Sequence, residues 1–192
     1  MNINISRAIL LLVSLMILSG CASTHMTIVP DEQRSSKPLQ GKALIYFVRP
    51  SSFGGAIQST IYDGDDYIGT VSANTHVAYQ ASPGKHMFMV VSESADFMSA
   101  DLIEGKTYYA QVAARMGVWR ARFSLVPSNG QHPQSKLDEW INSTKQVTVN
   151  EEGRTWAREN EPSVMQKKAK YLPEWNAKPD DRKQILLKES GH

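Results

Sequence analysis

Between Gly41 and Pro127 apolar residues come in short runs separated by turn residues, and on either side of this stretch the texture changes. Ala43-Leu44-Ile45-Tyr46-Phe47-Val48 is an unbroken apolar run of strand length, which predicts a strand buried on both faces. Arg49-Pro50 ends it, because proline cannot donate to a ladder. Ile57 to Tyr62 and Tyr67 to Val71 flank Asp63-Gly64-Asp65-Asp66 and read as a hairpin. Further strands are predicted at Thr75 to Gln80, His86 to Ser92, Phe97 to Ile103, Thr107 to Ala114 and Val118 to Val126, with Pro83-Gly84 and Glu104-Gly105-Lys106 as turns. In the last run Trp119, Ala121, Phe123 and Leu125 share one face and Arg120, Arg122 and Ser124 the other. About eight short strands at this spacing predict a mainly β fold spanning 41–127, an antiparallel β-sandwich of immunoglobulin type or else a barrel. No helix-length amphipathic segment separates the runs, which argues against βαβ units.

The flanks read differently. Ala8 to Leu18 is apolar apart from Ser14, and Ala22 to Gln40 is polar and without period. Beyond Pro127 the chain predicts a partly helical C-terminal extension over 128–192. Ser135-x-x-Asp138 has the form of a capping box ahead of Leu137, Trp140 and Ile141. A short strand is expected at Gln146 to Val149. Asn150 then caps a helix towards Tyr171 that Pro162 should kink or divide and Leu172-Pro173-Glu174-Trp175 should end. Asp180 to Glu189 reads as a last short helix.

At the N-terminus Arg7 precedes the apolar stretch, which is shorter than the roughly 20 residues that span a bilayer. Leu18-Ser19-Gly20-Cys21 follows, and Cys21 is the only cysteine in the chain. This resembles the lipobox of bacterial lipoprotein signals. The resemblance implies that 1–20 is a signal peptide cut between Gly20 and Cys21, and that Cys21 carries a covalent lipid. Ala22, rather than Asp, after the cysteine implies passage to the outer membrane, on the inner leaflet facing the periplasm. The membrane is then a partner through the N-terminal lipid. Residues 21–40 become a lipidated polar tether, reaching roughly 25 Å on average and about 60 Å stretched. Removing Arg7 with the signal takes the formal net charge from +2 to +1, which gives no argument for nucleic acid. One cysteine cannot form an intramolecular disulfide.

Gly41 to Pro50, Asp63-Gly64 with Ile68-Gly69, Asn74-Thr75, Pro83-Gly84-Lys85-His86 and Glu104-Gly105-Lys106-Thr107-Tyr108-Tyr109 together resemble a bacterial family known as domain of unknown function 2846. The order Asp-Gly, Ile-Gly, Pro-Gly-Lys-His is also similar to PEGA-type β-sandwich modules. The resemblance implies a sandwich, often on lipoproteins, and brings no reaction, cofactor or catalytic residue with it.

Candidate chemistry is sparse. No nucleophile elbow, P-loop or dinucleotide fingerprint occurs, and the lone cysteine is assigned to lipid, so no catalytic residue and no metal site is expected. Among five histidines, His76 and His86 would approach across strands and, with Asp63 or Asp66, would supply an acid–base or metal site. Asp63, Asp65 and Asp66 around Gly64 suggest a calcium loop, but Asn74 occupies the twelfth position where glutamate is required. Arg120 and Arg122, with Arg115 nearby, and Trp140 and Trp175 are candidates for a binding surface, although the tryptophans Trp140, Trp156 and Trp175 better suit docking of the tail onto the sandwich. Lys167, Lys168 and Lys170 read as the wet side of a helix. The expectation is a lipid-anchored cell-envelope module that binds or scaffolds an envelope protein without catalysis. The alternatives are an envelope hydrolase or metal-dependent enzyme using His76 and His86, and an accessory lipoprotein of a secretion or efflux assembly.

Overall fold

A computed structural model describes residues 24–55, 57–115 and 122–192, and over these the apolar runs build two sheets lying face to face. The strands are β1 (Met26–Ile28), β2 (Ala43–Arg49), β3 (Ser59–Asp63), β4 (Asp66–Val71), β5 (Thr75–Ala81), β6 (Gly84–Val91), β7 (Ala95–Leu102), β8 (Thr107–Arg115), β9 (Arg122–Pro127), β10 (Lys145–Val149) and β11 (Ile185–Leu186). Helix α1 (Gln134–Ser143) lies between β9 and β10, and α2 (Glu151–Asn176) between β10 and β11. One sheet has the order β1-β10-β5-β2-β8-β9 and the other β11-β7-β6-β3-β4. The protein is a mainly β two-sheet fold with a C-terminal helical extension, and it is not a closed barrel.

Alternation along the strands explains the long apolar runs. Ala43, Ile45 and Phe47 of β2 point between the sheets, where they meet Phe88, Val90, Met98 and Tyr108. Leu44, Tyr46 and Val48 point the other way and pack under Leu137 and Trp140 of α1. The second sheet repeats the arrangement. Ile61, Phe88 and Met98 face inward, while Tyr62, Met89 and Phe97 lie beneath Val164 and Trp175 of α2. The layers therefore run helix, sheet, sheet, helix, and strands with no polar face are stable because both faces are covered. Each large side chain buried this way contributes roughly 1.5–3 kcal/mol.

Several expectations need correction. The sheets are mixed: β2 runs parallel to β8, β10 to β5 and β11 to β7. Between β2 and β8 the chain crosses to the second sheet twice, for β3–β4 and for β6–β7, coming back between them as β5, and β10 enters beside β5 after α1. The sandwich is not confined to 41–127, since β1, β10 and β11 complete its sheets. The tether expected over 21–40 is mostly built into the body. β1 pairs with β10, and Met26 is 7% exposed within the central core. The capping box at Ser135 does not form: Pro133 precedes α1 without a side-chain cap, and Asp138 accepts from Gln134 instead. Asn150 does cap α2, accepting from Gly153 N at 2.8 Å. The helix then runs through both Pro162 and Pro173. Packing of Val164 and Trp175 on the second sheet offsets the cost, about 3 kcal/mol for each interior proline. Asp180 to Glu189 is not a helix but β11 between two short 3-10 turns. Cys21, Gly20 and Arg120 lie outside the described residues.

Candidate functional site

The two histidines proposed as partners are held on different sheets. Inward positions of β5 are odd-numbered, with Val77 in the central core and Tyr79 packed against it, so His76 points outward beneath α1. There His76 is fully buried, and its Nδ1 lies 2.8 Å from Thr144 Oγ1. Thr144 donates its own proton to Trp140 O at 2.6 Å, so His76 Nδ1 must be the donor in their shared bond. Its Nε2 is buried without a protein partner. Burial, reinforced by the Arg34 charge, pushes the His76 pKa down to about 4, so the ring is neutral and structural.

His86, on β6, belongs to a separate cluster. Its Nδ1 lies 2.8 Å from Asp63 Oδ2 and its Nε2 2.7 Å from Ser82 O. A neutral imidazole has one N–H, so two acceptors require the doubly protonated ring. The hydrogen bond to Asp63 accordingly raises the His86 pKa, against the opposing effect of burial. Tyr79 donates to the same carboxylate oxygen at 3.1 Å. Burial and the neighbouring Asp63 push the Tyr79 hydroxyl up to about 12, so it keeps its proton. His86 also stacks on Phe88 at 5.3 Å. Asp63 sits on the second sheet and Tyr79 on the first, so the triad pins the sheets together at one end. Both ring nitrogens are committed to acceptors, and this geometry offers no free base to a substrate. Asp65, across the hairpin turn, is held by Lys168 Nζ at 2.5 Å. Gly64 takes φ 62° there, as the turn requires. Among the described residues no group of three or more His, Cys, Asp and Glu side chains is placed to hold a metal ion.

The aromatic candidates divide in the same way. Trp140 and Trp175 are 6% and 5% exposed, so neither presents a binding surface. Trp140 seats α1, and Trp175 donates to Gln184 Oε1 at 2.8 Å while packing near Phe97. Arg122 is exposed and sits directly across the β8–β9 ladder from exposed Arg115. Like charges in register repel, so this pair concentrates positive potential at one corner.

The concave feature that sequence reasoning missed lies between α2 and the second sheet. It is a cleft of about 350 Å³ with Ile57, Val91 and Val164 as apolar lining, Trp156 as a wall and Lys167 at its edge. Trp156 stacks on His25 at 5.2 Å. Lys167 Nζ donates to Ser92 O at 2.5 Å. The volume falls at the small end of the range for ligand sites. Thr60, Glu93 and Ser163 also line it, so a mixed apolar and polar wall with both a cation and a carboxylate suits a small amphipathic molecule. The spacing of Trp156, Asn160, Ser163, Val164 and Lys167 along one helix face was a signal in the sequence, but the facing wall comes from the second sheet and from His25.

Comparison with known proteins adds little. A curated relative from Haemophilus influenzae, described as an uncharacterized protein, is 26% identical over 111 residues. The match covers 54% of this chain and 64% of the relative's length. No protein-family model matches the chain, and no solved structure matches it significantly. Among the described residues no helix is long and apolar enough to cross a membrane.

Proposed function

We propose that this chain is a lipid-anchored, periplasm-facing envelope protein whose sandwich serves as a non-enzymatic binding or scaffolding module. The observation that carries the reading is Leu18-Ser19-Gly20-Cys21, with the only cysteine of the chain at the position a lipid would occupy. The resemblance to domain of unknown function 2846 is part of the same proposal. Within the body, the cleft beside Trp156 is the ligand site and the Arg115–Arg122 corner the surface for an envelope partner. The enzymatic alternative needed His76 and His86 in one pocket, and their placement on opposite sheets gives it no support. Cys21→Ala expressed in a Gram-negative host should leave the membrane fraction and lose incorporation of radiolabelled palmitate. Continued labelling of that variant would refute the lipid reading.

A further inference from the structure

We infer that the folded body is held against the bilayer by one defined corner, the junction of β1 with the start of α2, and does not swing on a long tether. This rests on the proposal that Cys21 carries the lipid, and it adds a geometry that the lipid alone does not dictate. A nineteen-residue polar segment between Cys21 and Gly41 would let the body stand off by tens of ångströms. The structure removes most of that length.

From Thr24 onward the chain is tightly tied to the body. Thr24 O accepts from Asn150 Nδ2 at 2.8 Å, and His25 O from Asn150 N at 3.3 Å. Met26 Sδ accepts from Thr70 N at 3.3 Å. Val29 N donates to Gln146 O at 2.9 Å. Gly153 in the first turn of α2 is part of the fit, because a Cβ there would lie 2.2 Å from His25 O. Asn150 thus caps its own helix and clamps the entering chain with the same side chain.

Only three peptide units separate Cys21 from Thr24, a reach of about 10 Å at most. A lipid on Cys21 therefore keeps Thr24 within about that distance of the headgroups, with Asn150, bonded to it, and Glu152 just beyond. β1 is the edge of its sheet and β9 the opposite edge, five interstrand spacings or about 24 Å away. The exposed Arg122 on that far edge, with Arg115 opposite it on β8, is the part that projects into the compartment. The cleft is lined by His25, four residues from Cys21, so it stands at the bilayer surface.

The test uses the full chain, purified as the lipoprotein and reconstituted in phosphatidylethanolamine–phosphatidylglycerol vesicles. With the native cysteine occupied by lipid, a single introduced thiol is unique. Glu152→Cys and Arg122→Cys, each carrying a fluorophore, are compared for energy transfer to a headgroup-labelled lipid. Mass spectrometry reports whether Cys21 bears lipid. Transfer several-fold stronger from position 152 than from 122 is expected. Inserting about twelve Gly/Ser residues between Ser23 and Thr24 should level the two. Equal, weak transfer on a lipidated chain overturns the inference while leaving the lipid reading intact. A Cys21 found without lipid overturns both.

Discussion

The two helices cover the two sheets in contrasting ways. α1 has ten residues, and Leu137, Trp140 and Ile141 at helical spacing form a dense apolar stripe. It seats against Tyr46, Val48 and Tyr109, and Thr144 just beyond its end ties it to buried His76. α2 has twenty-six residues, yet only Gly153, Val164 and Trp175 are buried. A helix with a dense stripe seals its sheet, whereas one that touches at widely spaced points leaves room between them. The cleft beside Trp156 is that room, and it lies on the face whose helix spreads its apolar anchors more thinly along its length.

Substitutions measure this difference directly. The largest effect is expected at Trp140→Ala, which should cost about 3–5 kcal/mol in chemical denaturation because the α1 layer cannot refill the space. Trp156→Ala, at the cleft wall, should cost far less; equal losses would mean the cleft is ordinary core and end its candidacy as a ligand site.

Next comes pH. The ordinary His76 pKa of 6.5 falls to about 4 in the folded state, so the unfolded chain takes up the proton first as pH drops. Stability linked to His76 is therefore full above pH 6.5 and about 3 kcal/mol is lost by pH 4. In His76→Asn that part of the acid slope should vanish from denaturation midpoints. His86 has the opposite sign. Its folded pKa is raised by Asp63, so its contribution is complete below pH 6.5 and declines as pH rises through the raised value. Asp63→Asn should remove the alkaline decline and leave the acid slope unchanged.

Gly153→Ala should cost about 1–3 kcal/mol, since the new methyl meets the His25 carbonyl. Hydrogen exchange should then rise at residues 24–28 and stay unchanged at α1, localising the damage to the α2 side. The smallest effect is expected at Asp65→Asn. This removes a mostly exposed ion pair with Lys168 and should shift stability by less than about 1 kcal/mol.

Legibility in the sequence followed the range of the interactions. The strands from Ala43 to Pro127 were readable because each is a local run bounded by Gly, Pro or Asp, and Asn150 was readable as a cap because its partner Gly153 is three residues on. Met26-Thr27-Ile28 was not readable. Three residues carry no period, and the strand exists because Val147 to Val149 lies opposite it. Ile185-Leu186 is the same case, a strand made by its neighbour β7. Pro162 and Pro173 misled for the converse reason: their local cost is real, but contacts with a distant sheet outweigh it.

The sequence by itself determined a mainly β body, its local turns and the Asn150 cap. Those depend on neighbours within a few residues, where period and composition act directly. Only the tertiary structure decided that His76 and His86 part company, that Trp140 and Trp175 are anchors, and that the chain is clamped from Thr24 onward. Each of these turns on residues far apart in sequence whose meeting is set by how two sheets and two helices stack, and no local pattern encodes that.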